Sequence, residues 1–295
     1  MKTPVSALAL WAALSSSALA AAPSRGNGAT GQLPPAAIAS APPVARGHAP
    51  VNGLRLYYEV HGPAGGTPLV LIHGGGSSIE TSWGRMLPLL ARARRVVAFD
   101  QQGHGRTADV DRPFSFEGSA DDTAALLRHL GIARADLMGF SNGANIAMQV
   151  AIRDPALVRR LVVVSGMVKR DGLRPGFWEG MEHAKQEEMP PHLVDTYRRT
   201  SPHPERLPTF FRKSVDRMLG FRDWPEASVR SIAAPTLVVI GDADVVRPEH
   251  AAEMAALLPH ARLAVLPLAD HEGVVIGRGG WLVPMVEVFL AEGDR

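Results

Sequence analysis

The sequence predicts a mostly parallel, doubly wound α/β sheet interrupted by a helical cap insertion. Three observations carry this. Short, continuously apolar runs, such as Leu69-Val70-Leu71-Ile72 and Thr236-Leu237-Val238-Val239-Ile240, suit strands buried on both faces. Segments with apolar residues at helical spacing alternate with those runs. From about Met167 to Arg230 the alternation stops, and Pro, charged residues and aromatics take over with no buried strand.

Composition bounds the reading. The chain has 295 residues, 46% of them hydrophobic, enough for one large core. Its 31 basic and 29 acidic residues leave a net charge of +2, so nothing argues electrostatically for nucleic acid or an anionic membrane. There is no cysteine, which excludes disulfides, thiolate metal sites and a thiol nucleophile.

The N-terminus reads as a leader. Lys2 precedes an apolar stretch from Val5 to Leu14, and Ala18-Leu19-Ala20 fits a small-x-small cleavage site. The apolar stretch is too short for a stable bilayer anchor, so the expectation for residues 1–20 is an export signal and a soluble periplasmic or extracellular protein. Residues 21–50, dominated by Pro, Gly, Ala and Ser, read as a flexible linker.

The core is expected over 51–166 and 231–295. Val51-Asn52-Gly53 turns the chain into the alternating strand Leu54–Val60. The Leu69–Ile72 strand runs into His73-Gly74-Gly75-Gly76, where backbone N–H groups can approach an oxygen because no Cβ intervenes. Trp83, Met86, Leu87 and Leu90 suggest a helix. A strand at 95–99 ends in Asp100-Gln101-Gln102-Gly103-His104-Gly105, whose polar residues are expected to organise the loop. A helix follows from Phe116 to Leu130, with Gly131 as its stop. Next come a strand at 135–140, a helix ended by Asp154-Pro155, and a strand at 160–165. The cap, 167–230, carries amphipathic pieces at 179–188, 193–199 and 208–219. Most of its aromatics should form its own core, with one or two lining an apolar pocket. His183, His192 and His203 also fall there, without carboxylates at ligand spacing, so no metal site is expected. After the 235–240 strand, a helix begins at Pro248, a last strand spans 261–266, and a final helix runs from about Gly280 to Ala291.

The chemistry centres on Gly139-Phe140-Ser141-Asn142-Gly143. A serine between glycines at a strand-to-helix junction sits on a turn so sharp that its neighbours two before and two after must be small. Its hydroxyl then stands clear of the sheet at a helix N-terminus, where developing negative charge is favoured. Serine needs a neutral imidazole to take its proton, and the imidazole needs a carboxylate to hold its tautomer. In open parallel sheets such groups gather at the carboxyl ends of strands. Ser141, Asp244 and His271 all follow strands, in the order nucleophile, acid, base. Asp242 and Asp270 compete for the acid role. Asp270 adjoins His271, which makes orienting the ring awkward, and Asp242 better suits a turn.

These motifs together resemble the α/β-hydrolase superfamily, specifically its members with a helical cap, over about Leu54 to Ala291. The resemblance implies oxyanion donors at the Gly75 and Asn142 N–H groups, a triad acid at Asp244, and no metal or organic cofactor. Serine at the elbow sets the chain apart from epoxide hydrolases and haloalkane dehalogenases, which carry aspartate there. The chain looks similar to esterase-like and enol-lactonase-like members, so a small, partly apolar ester or lactone is the expected substrate. A C–C bond hydrolase or a cofactor-free perhydrolase would use the same triad, and a non-catalytic ligand-binding homologue is a further alternative.

Overall fold

The computed structural model describes residues 42–292. The expected export signal and residues 21–41 of the expected linker lie outside the described residues.

Eight strands form one sheet: β1 (Ala45–Val51), β2 (Leu54–His61), β3 (Leu69–Ile72), β4 (Val96–Phe99), β5 (Ala135–Phe140), β6 (Val158–Val164), β7 (Thr236–Gly241) and β8 (Ala261–Leu266). They lie in the order β1-β2-β4-β3-β5-β6-β7-β8. β1, β2 and β4 pair antiparallel, and every other neighbouring pair is parallel.

The continuous apolar strands divide the core by their side-chain period of two. Val70, Ile72 and Leu137 face one layer, where α2 (Phe116–His129), α3 (Asn142–Arg153) and α8 (Pro248–Leu257) pack. Leu69, Leu71 and Met138 face the other, against α1 (Leu87–Leu90) and α10 (Gly279–Ala291). Helices on both faces of a largely parallel sheet are the predicted doubly wound arrangement.

Three expectations are corrected. The end of the expected linker is ordered, because Ala45–Val51 pairs with β2 along its whole length. Asn52 and Gly53 both take positive φ, 47° and 80°, as a two-residue hairpin turn requires. Arg46, Gly47 and Pro50 hide the strand pattern, yet an edge strand tolerates a proline whose missing N–H need not pair. The helix expected around residues 83–90 is instead a short π-turn at Ile79–Trp83 followed by the single turn of α1. In the cap, the piece expected at 179–188 divides into α4 (Phe177–Glu182) and a 3₁₀ turn at Gln186–Glu188.

Among the described residues no strand occurs between β6 and β7. That stretch holds α4, α5 (Pro191–Thr200), α6 (Leu207–Leu219) and α7 (Glu226–Arg230). Two joints fix its entry to the core. The Asn145 side-chain amide donates to the Met167 carbonyl at 2.7 Å and accepts from the Met167 N–H at 3.1 Å. Val168 N–H then donates to His250 Nε2 at 3.1 Å. The cap aromatics divide between a core and a pocket, with more in the pocket than the one or two expected: Trp178 stacks on Phe221, which contacts Trp224, whereas Phe177, Phe210 and Phe211 line a cavity over the sheet.

Candidate active site

Ser141 lies between β5 and α3 with φ 54° and ψ −121°. Its carbonyl accepts from Ala144 N–H at 2.8 Å and its own N–H donates to Val164 O at 2.8 Å, so the strained backbone is pinned from both sides. The flanking glycines are sterically required. A Cβ on Gly139 would strike the Gly143 carbonyl, and one on Gly143 would strike the carbonyls of Ile72 and His73. These are backbone atoms at the end of β3 and cannot move aside alone. Gly143→Ala is therefore expected to destabilise the fold by roughly 3 kcal/mol in urea unfolding, the range of overpacked core substitutions.

The structure brings the three predicted residues together. His271 Nε2 lies 2.9 Å from Ser141 Oγ, and His271 Nδ1 lies 2.7 Å from Asp244 Oδ1. An ionised carboxylate only accepts, so Nδ1 carries the proton and Nε2 presents a lone pair to the serine hydroxyl. Asp244 is wholly buried and His271 is 5% exposed. Burial pushes the Asp244 carboxyl up, but the His271 ring and hydrogen bonds from His271, Ser165 and Val246 together outweigh it and hold the carboxyl below its ordinary value.

The competing aspartates take local roles. Asp242 Oδ1 accepts from Ala269 N–H at 3.1 Å, which closes the turn beside β7. Asp270 Oδ1 accepts from Gly273 N–H at 2.7 Å and leads into α9 (Gly273–Ile276). Asp100 and His104 organise their loop, as expected. Asp100 takes the N–H groups of Ile79 and Arg106 at 2.9 and 2.8 Å, and His104 Nδ1 donates to Gln102 O at 2.8 Å.

The Gly74–Gly76 loop faces the serine across the same cavity. His73 holds it: Nε2 accepts from Gln101 N–H at 3.0 Å, so Nδ1 donates to Gly74 O at 2.8 Å. Burial depresses His73 to about 4, which keeps the ring neutral and this tautomer in place. The N–H groups of Gly75 and Asn142 find no acceptor among the described residues. A side chain at Gly75 would collide with the Asn142 amide.

A residue beside the triad escaped the sequence reading. Ser165, just past β6, adopts φ 55°, and its hydroxyl donates to Asp244 Oδ2 at 2.5 Å. Its one sequence signal is its place at the carboxyl end of a buried strand. Ser165→Ala removes a charge-assisted hydrogen bond, so the Asp244 carboxyl is expected to rise and kcat/KM to fall about tenfold, corresponding to ~1.4 kcal/mol of such a bond. Steady-state kinetics on a chromogenic ester checks this.

The cavity over these groups is lined mainly by apolar side chains, including Met167, Phe177, Met181, Leu193, Phe210 and Met218. Glu272 at its edge lies 3.6 Å from His192 of the cap.

Comparisons with known proteins agree with this architecture. The chain is 31% identical over 253 residues to the dihydrolipoyllysine-residue acetyltransferase component of the acetoin cleaving system of Pseudomonas putida. That alignment covers 77% of this chain and 65%, less than two thirds, of that protein. It is 28% identical to the 2-hydroxymuconate semialdehyde hydrolase of Pseudomonas sp. (strain CF600), covering 80% of this chain and 91% of the relative. The crystal structure of the enol-lactonase from Burkholderia xenovorans LB400 superposes with a TM-score of 0.67 at 23% identity, covering 83% of this chain and all of that one, a likeness of fold. The sequence profile of the Alpha/beta hydrolase family matches residues 69–283. With the sheet order, the Ser141 turn and this match in hand, the chain belongs to the alpha/beta hydrolase family.

Proposed function

We propose that the protein is a serine hydrolase that cleaves a carboxylic ester or lactone through an acyl-enzyme. The observation that carries this reading is the unbroken Ser141–His271–Asp244 relay, with contacts of 2.9 and 2.7 Å at the mouth of an apolar cavity. Ser141 Oγ attacks the carbonyl carbon as its proton passes to His271 Nε2, and the carbonyl π pair moves onto oxygen. The Gly75 and Asn142 N–H groups receive that oxyanion; losing one such donor typically costs ~10²–10³ in turnover. The imidazolium, steadied by Asp244, protonates the alcohol oxygen as the carbonyl re-forms and the C–O bond breaks. The neutral imidazole then takes a proton from the water that attacks the acyl-enzyme and returns it to Ser141 Oγ as the acid leaves. The apolar lining supports a substrate with an apolar acyl or alcohol part. The leader at residues 1–20 supports export.

The test is intact mass after treatment with a fluorophosphonate, on the parent and on Ser141→Ala. One adduct on the parent and none on the variant is the expected result, followed by turnover of esters or lactones graded by acyl length. No adduct on folded protein would overturn the reading and favour a ligand-binding role. A second reading, hydrolysis of a C–C bond, rests on the 2-hydroxymuconate semialdehyde hydrolase relative. Turnover of a ring-fission product with inert simple esters would favour it.

A further inference from the structure

Arg217 carries a buried charge with no counter-ion among the described residues. It lies in the third turn of α6, whose neighbouring Ser214, Val215 and Met218 line the cavity, yet Arg217 itself is only 5% exposed. Its Nε and Nη2 have no hydrogen-bond partner, and among the described residues no carboxylate lies within ion-pair distance. Elsewhere in the chain the same edge of the guanidinium holds a carboxylate: Arg94 on Glu287, Arg153 on Asp121 and Arg159 on Asp136. Around Arg217 there are instead the rings of Phe114 and Phe116, each 5.6 Å from its carbon. Its Nη2 stands 3.2 Å from the point a Gly75 Cβ would occupy, beside the Asn142 amide.

A buried guanidinium without a counter-ion is costly, and it cannot escape the cost by losing its proton. Burial lowers Arg217 only to about 10, so it is charged at neutral pH. The nearby titratable groups do not compensate it. His73 and His104 are both held neutral by burial. Asp109 is taken by Lys213 at 2.8 Å, and Asp100 by the Ile79 and Arg106 N–H groups.

We propose that Arg217 places an uncompensated positive charge behind the oxyanion hole, so that the anionic oxygen formed between Gly75 and Asn142 is the counter-ion it lacks in the resting protein. This rests on the serine-hydrolase reading and deepens it. Such a charge is silent toward a neutral ground state and acts as negative charge develops, which is where binding energy accelerates a reaction. Arg217 acts by its field, without touching substrate.

The test uses the full chain and a neutral chromogenic ester, after fluorophosphonate labelling has independently established Ser141. Arg217→Met keeps the apolar stem and removes the charge. It should lower kcat about 10- to 100-fold with KM changed less than twofold, the signature of an interaction made only in the transition state. Affinity for a phenylboronic acid, whose serine adduct is anionic and tetrahedral, should fall by the same factor, while that for the uncharged amide isostere of the ester should not. Arg217→Lys should restore activity near neutrality and lose it as pH rises, because a buried ammonium titrates below its usual value. This second variant keeps the test decisive should Arg217→Met fail to fold. Unchanged kcat in Arg217→Met would overturn the proposal. So would a raised KM confined to esters bearing a carboxylate, which would make Arg217 a substrate-binding group. Arg217→Lys behaving as a pH-independent loss would reduce Arg217 to a structural role.

Discussion

Ser141→Ala is expected to lose turnover by a factor on the order of 10⁴ to 10⁶, the range seen when the nucleophile of such a unit is deleted. The remaining rate would come from the oxyanion donors and from binding, which the substitution leaves in place. Stability should hardly move. Alanine meets the same positive φ of 54° that serine already bears, so no new backbone strain arises. The hydroxyl's side-chain contact is to His271 Nε2, at the edge of the cavity, where solvent can replace it. A thermal midpoint within a few degrees of the parent, with activity gone, separates chemistry from folding. Retained activity would mean that another group attacks, and the relay would then be an ornament of the fold.

Much of this was legible in the sequence because it rests on rules that act locally. Sharp backbone at Ser141 demands small residues at Gly139 and Gly143, because a Cβ at either position would strike backbone carbonyls. The strands buried on both faces announce themselves as apolar runs. What was not legible depends on partners far along the chain. β1 is a strand because β2 offers it a full ladder of pairs, not because Ala45–Val51 has a strand-like composition. Ser165 belongs to the site because β6 and β7 are neighbours in the sheet, which brings it to Asp244 79 residues away. Arg217 sits among charged and apolar residues on an amphipathic helix, and its sequence neighbours give no hint that it is the side turned inward. In each case the missing information is a tertiary neighbour.

Asp244→Asn poses a finer question, because the outcome depends on which way the new amide turns. Replacing a triad carboxylate by amide can flip the histidine tautomer and cost about 10⁴ in kcat. Here the surroundings discriminate. Oδ1 accepts from His271 and from Val246 N–H at 3.2 Å, whereas Oδ2 accepts from the Ser165 hydroxyl and, at 3.4 Å, from Gly241 N–H. A backbone N–H cannot reverse its role, but a hydroxyl can rotate and accept. The amide oxygen should therefore stay toward Val246 and His271, with the NH₂ donating to Ser165 at the expense of the weaker Gly241 contact. His271 then keeps its tautomer and loses only the negative charge that steadies its protonated form. A unit charge at about 4 Å and an effective dielectric near 20 is worth about 4 kcal/mol, so kcat should fall about 10³-fold. Adding Ser165→Ala removes the acceptor that directs the NH₂, and the double variant should fall further than the product of the two single losses, toward the tautomer-flipped level. The double-mutant cycle on kcat measures this coupling directly. Simple additivity would show that Ser165 plays no part in directing the amide, and a loss of 10⁴ or more in Asp244→Asn alone would show that the amide has turned.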